Sequence, residues 1–266
     1  MVNNYRTLQD KVVVITGASS GIGRAIALES ASRGARVFLL ARGLDRLNEV
    51  RNECANLSLT EATAIQVDVS RLSDLEAAVD QINQEVDHVD VLVNAAGFGD
   101  FSNFMEIDLE TIEQMFQVNV FGTMLLTRLL APSMFEAQGH IVNIGSIAGK
   151  IQTPKSAVYA ATKAAVIAFS NSLRLELKPV KVKVTTVNPG PVNTNFFNIA
   201  DSGRQYLEKV GWITLDPERL ATKIVASFGH PVREINAPWF MDVAARLFPL
   251  FPRVGDFLAG SIGNQK

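Results

Sequence analysis

A chain of 266 residues with 47% hydrophobic and 20% charged residues can bury a substantial core and is too apolar for global disorder. Its formal net charge of -2 excludes the strong basic excess of a dedicated nucleic-acid binder. Cys54 alone cannot form an intrachain disulfide, and His88, His140 and His230 are scattered without a second ligand at metal spacing, so no metal is expected. Met1 to Asp10 lacks a signal-peptide pattern and no apolar run is long enough to span a bilayer, so a cytoplasmic protein is expected.

The first element is Lys11 to Thr16, a β-branched run that leads into Gly17-Ala-Ser-Ser-Gly-Ile-Gly23, after which Arg24 to Ser32 reads as a helix. Strand, glycine-rich turn and helix in that order are the context of a phosphate-binding loop. Glycines let the backbone approach a pyrophosphate, and the amides and dipole at a helix start favour its charge. Gly17, Ser19, Ser20, Gly21, Ile22 and Gly23 are therefore candidate nucleotide contacts, although a tight turn packed under a helix would use the same glycines.

A second strand, Ala35 to Leu40, ends at Ala41-Arg42, with Arg46 a turn later. In nicotinamide-binding folds an acid near this point accepts from the adenosine ribose, whereas an arginine suits a 2′-phosphate. The acid is missing here, so NADP(H) is expected, with a pair of ordinary solvated loop charges as the competing reading. The third strand, Ala62 to Val67, is followed by Asp68-Val69, where Asp68 could also cap the helix beginning near Leu72. The fourth, Val89 to Val93, runs into Asn94-Ala95-Ala96-Gly97.

Helical spacing covers Leu109 to Val118 and continues towards Met134, placing Asn119, a poor helix former, in mid-helix. The fifth strand, His140 to Ile144, delivers Gly145-Ser146 at its carboxyl end, where open α/β sheets place their ligands. An alanine-rich helix follows to about Lys178, with Tyr159 and Lys163 one turn apart on one face. A fixed cation beside a phenol favours the phenolate and lowers its pKa from about 10. Taken alone, the pair equally describes a core-edge tyrosine beside a solvated lysine. The sixth strand, Val182 to Val187, precedes Asn188-Pro189-Gly190-Pro191-Val192-Asn193-Thr194.

Thr16-Gly17-x-x-x-Gly21-x-Gly23 resembles the T-G-x-x-x-G-x-G signature of the short-chain dehydrogenase/reductase family, and Tyr159/Lys163 resembles its Y-x-x-x-K. The resemblance covers roughly residues 8 to 194 and fades beyond. It implies a catalytic set of Asn119, Ser146, Tyr159 and Lys163, with Asn119 holding a relay water and Ser146 orienting the substrate oxygen. It also implies cofactor contacts from Asp68-Val69, from Asn94 to Gly97, from Tyr159 and Lys163, and from Pro189, Gly190, Val192 and Thr194. Ser20 departs from the family pattern, because a basic residue just before the middle glycine commonly meets the 2′-phosphate.

Residues 195 to 215 lack a strong period and are read as a substrate loop or lid. Asp216-Pro217-Glu218 then starts a helix to about Phe228, and Arg233 to Ala237 reads as a last strand. From 239 to 260 an apolar face at helical spacing is broken by Pro249 and Pro252 into two pieces. Three covers compete for that face: protein core or a partner subunit, a greasy substrate pocket, and, less favoured, a membrane surface touched peripherally.

The alternation predicts a single α/β domain over residues 1–266, a Rossmann-type doubly wound parallel sheet of six to seven strands. The resemblance implies an NADP(H)-dependent oxidoreductase moving hydride between the nicotinamide and a carbonyl or secondary alcohol on a bulky hydrophobic small molecule. A homodimer or homotetramer through the alanine-rich helix is expected. The alternatives are a nucleotide-sensing module without catalysis and an epimerase or dehydratase on the same scaffold.

Overall fold

The structure, a computed structural model, describes residues 7–58, 60–194 and 214–263. The expected lid therefore lies outside the described residues, apart from Thr214 and Leu215. Seven parallel strands form one sheet in the order β3-β2-β1-β4-β5-β6-β7. They are β1 (Val12–Thr16), β2 (Arg36–Ala41), β3 (Ala62–Gln66), β4 (Val91–Asn94), β5 (His140–Ile144), β6 (Lys183–Pro189) and β7 (Glu234–Ala237).

Parallel strands need crossover helices, which cover both faces and make the strands apolar throughout. All five residues of β1 are buried, and alternation splits the four apolar ones between two cores. Val13 and Ile15 pack with Ile26 of α1 (Gly21–Ser32), Leu47 of α2 (Leu44–Leu57) and Ile224 of a later helix. Val12 and Val14 join Leu75 and Ile82 of α3 (Leu72–Glu85) and Leu126 of α5 (Thr123–Leu130) on the other face. The doubly wound sheet is as expected. Chain order reverses between β1 and β4, so a crevice opens at the carboxyl ends of those two strands.

The single helix read from Leu109 towards Met134 is divided. After α4 (Leu109–Phe116), a π-helical turn occupies Gln117–Gly122 and contains Asn119; α5 follows. A Cβ on Gly122 would lie 2.8 Å from the Val69 carbonyl oxygen, so this turn runs directly against the segment that leaves β3. α6 (Ala157–Glu176), α7 (Pro217–Val225), α8 (Trp239–Leu247) and α9 (Pro252–Gly263) complete the described helices. Asp216 caps α7 by accepting from Arg219 N, as its position before Pro217 predicts. Asp68 does not cap α3: its carboxylate accepts from Ser70 N and Ser70 Oγ, and Arg71 stands at the cap position.

At the other end of the sheet, His140 is wholly buried. Gly229 N donates to its Nδ1 at 3.1 Å, which leaves Nε2 to donate to Thr185 Oγ1 at 2.8 Å. Burial, reinforced by the charges of Lys183 and His230, pushes its pKa down to about 3. Between the unfolded value of 6.5 and the folded value, the unfolded chain binds the extra proton, so stability is lost as pH falls. Denaturant midpoints should fall from pH 7 to pH 5 by the equivalent of about 2 kcal/mol, and His140→Gln should lose less over the same interval. An equal loss in the variant would remove His140 as the cause.

Candidate active site

The crevice is built from the strand ends inward. Gly17 has φ +66°, and a Cβ there would lie 2.9 Å from Ala95 O and Ala96 N; on Gly23 it would lie 2.4 Å from the Gly17 carbonyl oxygen. Only glycine allows the turn, the following helix and the end of β4 to meet this closely. Thr16 fixes the meeting, because its hydroxyl oxygen accepts from Ala95 N and Ala96 N, both at 3.0 Å. Ser20 at the α1 cap makes no side-chain capping bond, and the first turn of α1 carries no acid. The helix thus keeps amide donors and a positive end with no anion of its own, which fits a phosphate group.

One cleft of about 1050 Å³ is lined by Gly17, Ser19, Ser20, Gly21, Ile22 and Gly23 along this turn, and by Arg42 and Arg46 beyond β2. Asp68 and Val69 follow β3, Ala95, Ala96 and Gly97 follow β4, and Pro189, Gly190, Val192 and Thr194 continue from β6, all on the same cleft. Thr194 reaches Gly21, where a Cβ would come within 3.4 Å of its methyl. Burial opposes the charge of Asp68, yet its bonds from Ser70 and the charges of Arg42 and Arg71 hold its carboxyl below the usual carboxylate range.

Ser146, Tyr159 and Lys163 meet on this cleft too. Ser146 follows β5 and accepts from Ala148 N at 3.1 Å, fixing a short 3-10 turn over Ile147–Gly149. That turn packs against α6 so closely that a Cβ on Gly149 would lie 2.8 Å from Ala164 N. Tyr159 and Lys163 are buried. The tyrosine ring rests on the backbone of Gly99, where a Cβ would lie 2.8 Å from Cδ2, and its centroid is 5.3 Å from that of Phe101. Lys163 Nζ lies 5.7 Å from the Tyr159 ring centroid and donates to Ile144 O at 2.9 Å.

The electrostatics differ from the reading of the Tyr/Lys pair in sequence. Burial pushes the Tyr159 phenol up to about 12, only partly opposed by a hydrogen bond with the Ser146 hydroxyl, and pushes Lys163 down to about 8. Desolvation penalises both charged forms, and the ammonium is engaged by a backbone carbonyl, so the phenol remains protonated.

Two expected residues do not line the cleft. Asn94 lies beneath it and donates to Thr127 Oγ1 at 2.9 Å and to Asn143 Oδ1 at 2.8 Å, joining β4 to α5 and β5. Asn119 accepts from Phe98 N at 3.0 Å and donates to Phe98 O at 2.9 Å and Thr162 Oγ1 at 3.0 Å. Its amide pins the segment on which the Tyr159 ring rests.

The rest of the wall comes from the tail, where Phe240, Met241, Leu247, Phe248 and Phe251 face the cleft. Part of this face thus borders the cleft, and part packs on the protein itself, where Ala245 is buried and Met241 meets Gly190. A polar hub anchors α8 to the serine turn. Asn236 accepts from Asn188 Nδ2 at 2.8 Å and donates to Asp242 Oδ1 at 2.7 Å, while Lys150 donates to Glu234 at 2.5 Å and to Asn236 at 3.3 Å. The sequence offered no cue to this hub, because its members are ordinary polar residues far apart in the chain. Thr16, by contrast, was visible beside the glycines. Among the described residues, no group of three or more His, Cys, Asp or Glu could hold a metal.

A family model described as short chain dehydrogenase matches residues 11–204. An uncharacterised oxidoreductase of Staphylococcus saprophyticus is 36% identical over 225 residues, spanning 84% of this chain and 93% of the relative. Among solved structures, L-sorbose reductase from Gluconobacter frateurii, complexed with NADPH and L-sorbose, is 29% identical with a TM-score of 0.80, covering 88% of this chain and 97% of that one. A short-chain dehydrogenase/reductase from Burkholderia phymatum in complex with NAD is 25% identical with a TM-score of 0.85, covering 94% and 96%.

Proposed function

Because the chain belongs to the short-chain dehydrogenase/reductase family, we propose that it reduces a carbonyl, or oxidises the corresponding secondary alcohol, using NADP(H). The reading rests on one observation above others: the side chains of Ser146, Tyr159 and Lys163 converge on the same cleft as the glycine turn. A bound nicotinamide dinucleotide would supply or accept the hydride. The glycine turn and the free end of α1 would hold its phosphates, and Ala95 to Gly97, Pro189 and Gly190 would give it close-packed walls.

In the direction of reduction, Tyr159 donates its phenolic proton to the substrate oxygen, a task suited to a phenol that burial keeps protonated. Ser146 already bonds to that phenol and orients the oxygen beside it. Lys163, protonated below about 8, supplies the nearby positive charge that stabilises the proton-depleted phenol. Asn119 acts as a positioning residue through Phe98, beside the relay role the resemblance implies. The wall of Phe98, Phe101, Ile151, Met241 and Phe248 favours a bulky apolar carbonyl compound. Exposed Ala157, Ala161 and Ala168 on α6 leave room for a second helix, which supports a homo-oligomer.

NADP(H) is favoured over NAD(H) by Arg42 and Arg46 on the cleft and by the lack of an acid at the end of β2. The test is NADPH and NADH oxidation with ketones of increasing bulk, in wild type and Arg42→Ala. Wild type should show the lower KM for NADPH, and the variant should raise that KM by about tenfold or more while leaving NADH little changed. A wild-type preference for NADH overturns the cofactor assignment. Tight NADPH binding without turnover of any ketone favours the sensor.

A further inference from the structure

The apolar surface of the tail extends beyond the part that lines the cleft. Trp239 is 75% exposed, Leu250 68%, Phe251 61% and Phe257 74%, an apolar ridge running along α8 and α9. Isolated exposed apolar residues are ordinary, but several large ones within one short stretch of chain call for a cover. Leu247, Phe251 and Val254 belong both to this ridge and to the active-site cleft, so the mouth of the cleft opens on it.

Charge on the other flank of α8 identifies the cover. There a separate cleft of about 880 Å³ is lined by Lys150, Lys223, Arg233 and Arg246, against the two carboxylates Glu234 and Asp242. Glu234 is paired with Lys150 and Asp242 with Arg246; Lys223 and Arg233 lie outside the ion pairs of the described residues, with Arg233 donating to Asn171 Oδ1 and its charge also acting on Glu234. Trp239 stands where the cationic cleft and the apolar ridge join. A ridge of aromatic and aliphatic groups, an indole at its border and cations alongside are the three features by which a protein rests on an anionic bilayer. Among the described residues no helix is long and apolar enough to cross one, so the contact is with the surface.

We propose that α8 and α9 dock this protein on anionic phospholipid, with the ridge in the acyl boundary and headgroup phosphates at the cleft containing Lys223 and Arg233. The docking stands apart from the hydride-transfer reading and needs no turnover to be measured. In sedimentation with vesicles, wild type should pellet with mixed phosphatidylglycerol and phosphatidylcholine, and far less with phosphatidylcholine alone. Leu250→Asp with Phe257→Asp, both exposed and absent from the active-site cleft, should weaken partitioning by about a hundredfold. Lys223→Glu with Arg233→Glu should weaken it by about tenfold or more and abolish the preference for phosphatidylglycerol.

Wild type left in the supernatant with both vesicles overturns the proposal, as does equal binding to the two lipids or undiminished binding by the ridge variant. So does inorganic phosphate raising the thermal midpoint while vesicles bind nothing, which would make the cationic cleft a free-anion site. A ridge variant that turns a dimer into a monomer while wild type ignores vesicles would assign the ridge to a second copy of the chain. Should the ridge variant fail to fold, the charge-reversal pair decides the question, since Lys223 and Arg233 are exposed.

Discussion

Tyr159→Phe is expected to bind NADPH as wild type does and to lose about three orders of magnitude in kcat, within the range that a positioned proton donor contributes. The substitution removes one oxygen and leaves the ring that packs on Gly99 and Phe101, so the wall of the cleft stays in place. Fluorescence titration would report nucleotide affinity and NADPH oxidation would report turnover. A loss confined to turnover assigns the oxygen to the chemistry, whereas turnover within tenfold of wild type removes Tyr159 from it. The same site fixes the sign of the pH dependence. Burial lowers Lys163 to about 8 and raises Tyr159 to about 12, so as pH rises the lysine loses its charge before the phenol loses its proton. Reduction should therefore decline above about 8, and Lys163→Met, already slow, should lack that inflection.

Gly23→Ala should be among the most damaging single methyl additions at the described glycines. The new Cβ would fall 2.4 Å from the Gly17 carbonyl oxygen and 3.2 Å from that of Thr16, and neither is the end of a flexible side chain. The backbone must move, and with it the turn proposed to receive the phosphates. A cost of about 2 kcal/mol, typical of overpacking, corresponds to a fall of about 4 to 8 °C in Tm, with nucleotide affinity lost alongside. Ser20→Ala provides the contrast. A serine at a helix cap normally contributes about 1 kcal/mol through its side chain, but Ser20 makes no capping bond, so its Tm should barely change. Scanning calorimetry of the two variants separates turn geometry from helix capping.

Much of this architecture is legible in the chain because parallel strands buried on both faces must be apolar throughout. His140 to Ile144 was marked to the residue, and the glycine turn and the Tyr/Lys pair stood out by spacing. Boundaries elsewhere moved by up to three residues, as with α7 ending at Val225 where Phe228 was expected. What stayed hidden depends on the third dimension. Asn119 reads as a poor helix former, but nothing local says that the helix widens into a π turn there or that its amide is used by Phe98. Asn94 sits in a small-residue motif facing the cleft, yet parallel register with Asn143 turns it inward to a buried polar pair. The phenol pKa stands apart from the charge-based reading for a related reason: charge proximity can be counted along a helix, whereas loss of water cannot.

The helix Trp239–Leu247 separates the two clefts, and of its nine residues only Ala245 is buried. A partition one helix thick, so little committed to the interior, can change its side chains without requiring the sheet to be rebuilt. Diversification of what the protein accepts is thereby uncoupled from Tyr159 and the glycine turn, which are held by close backbone contacts at Gly99 and Gly23.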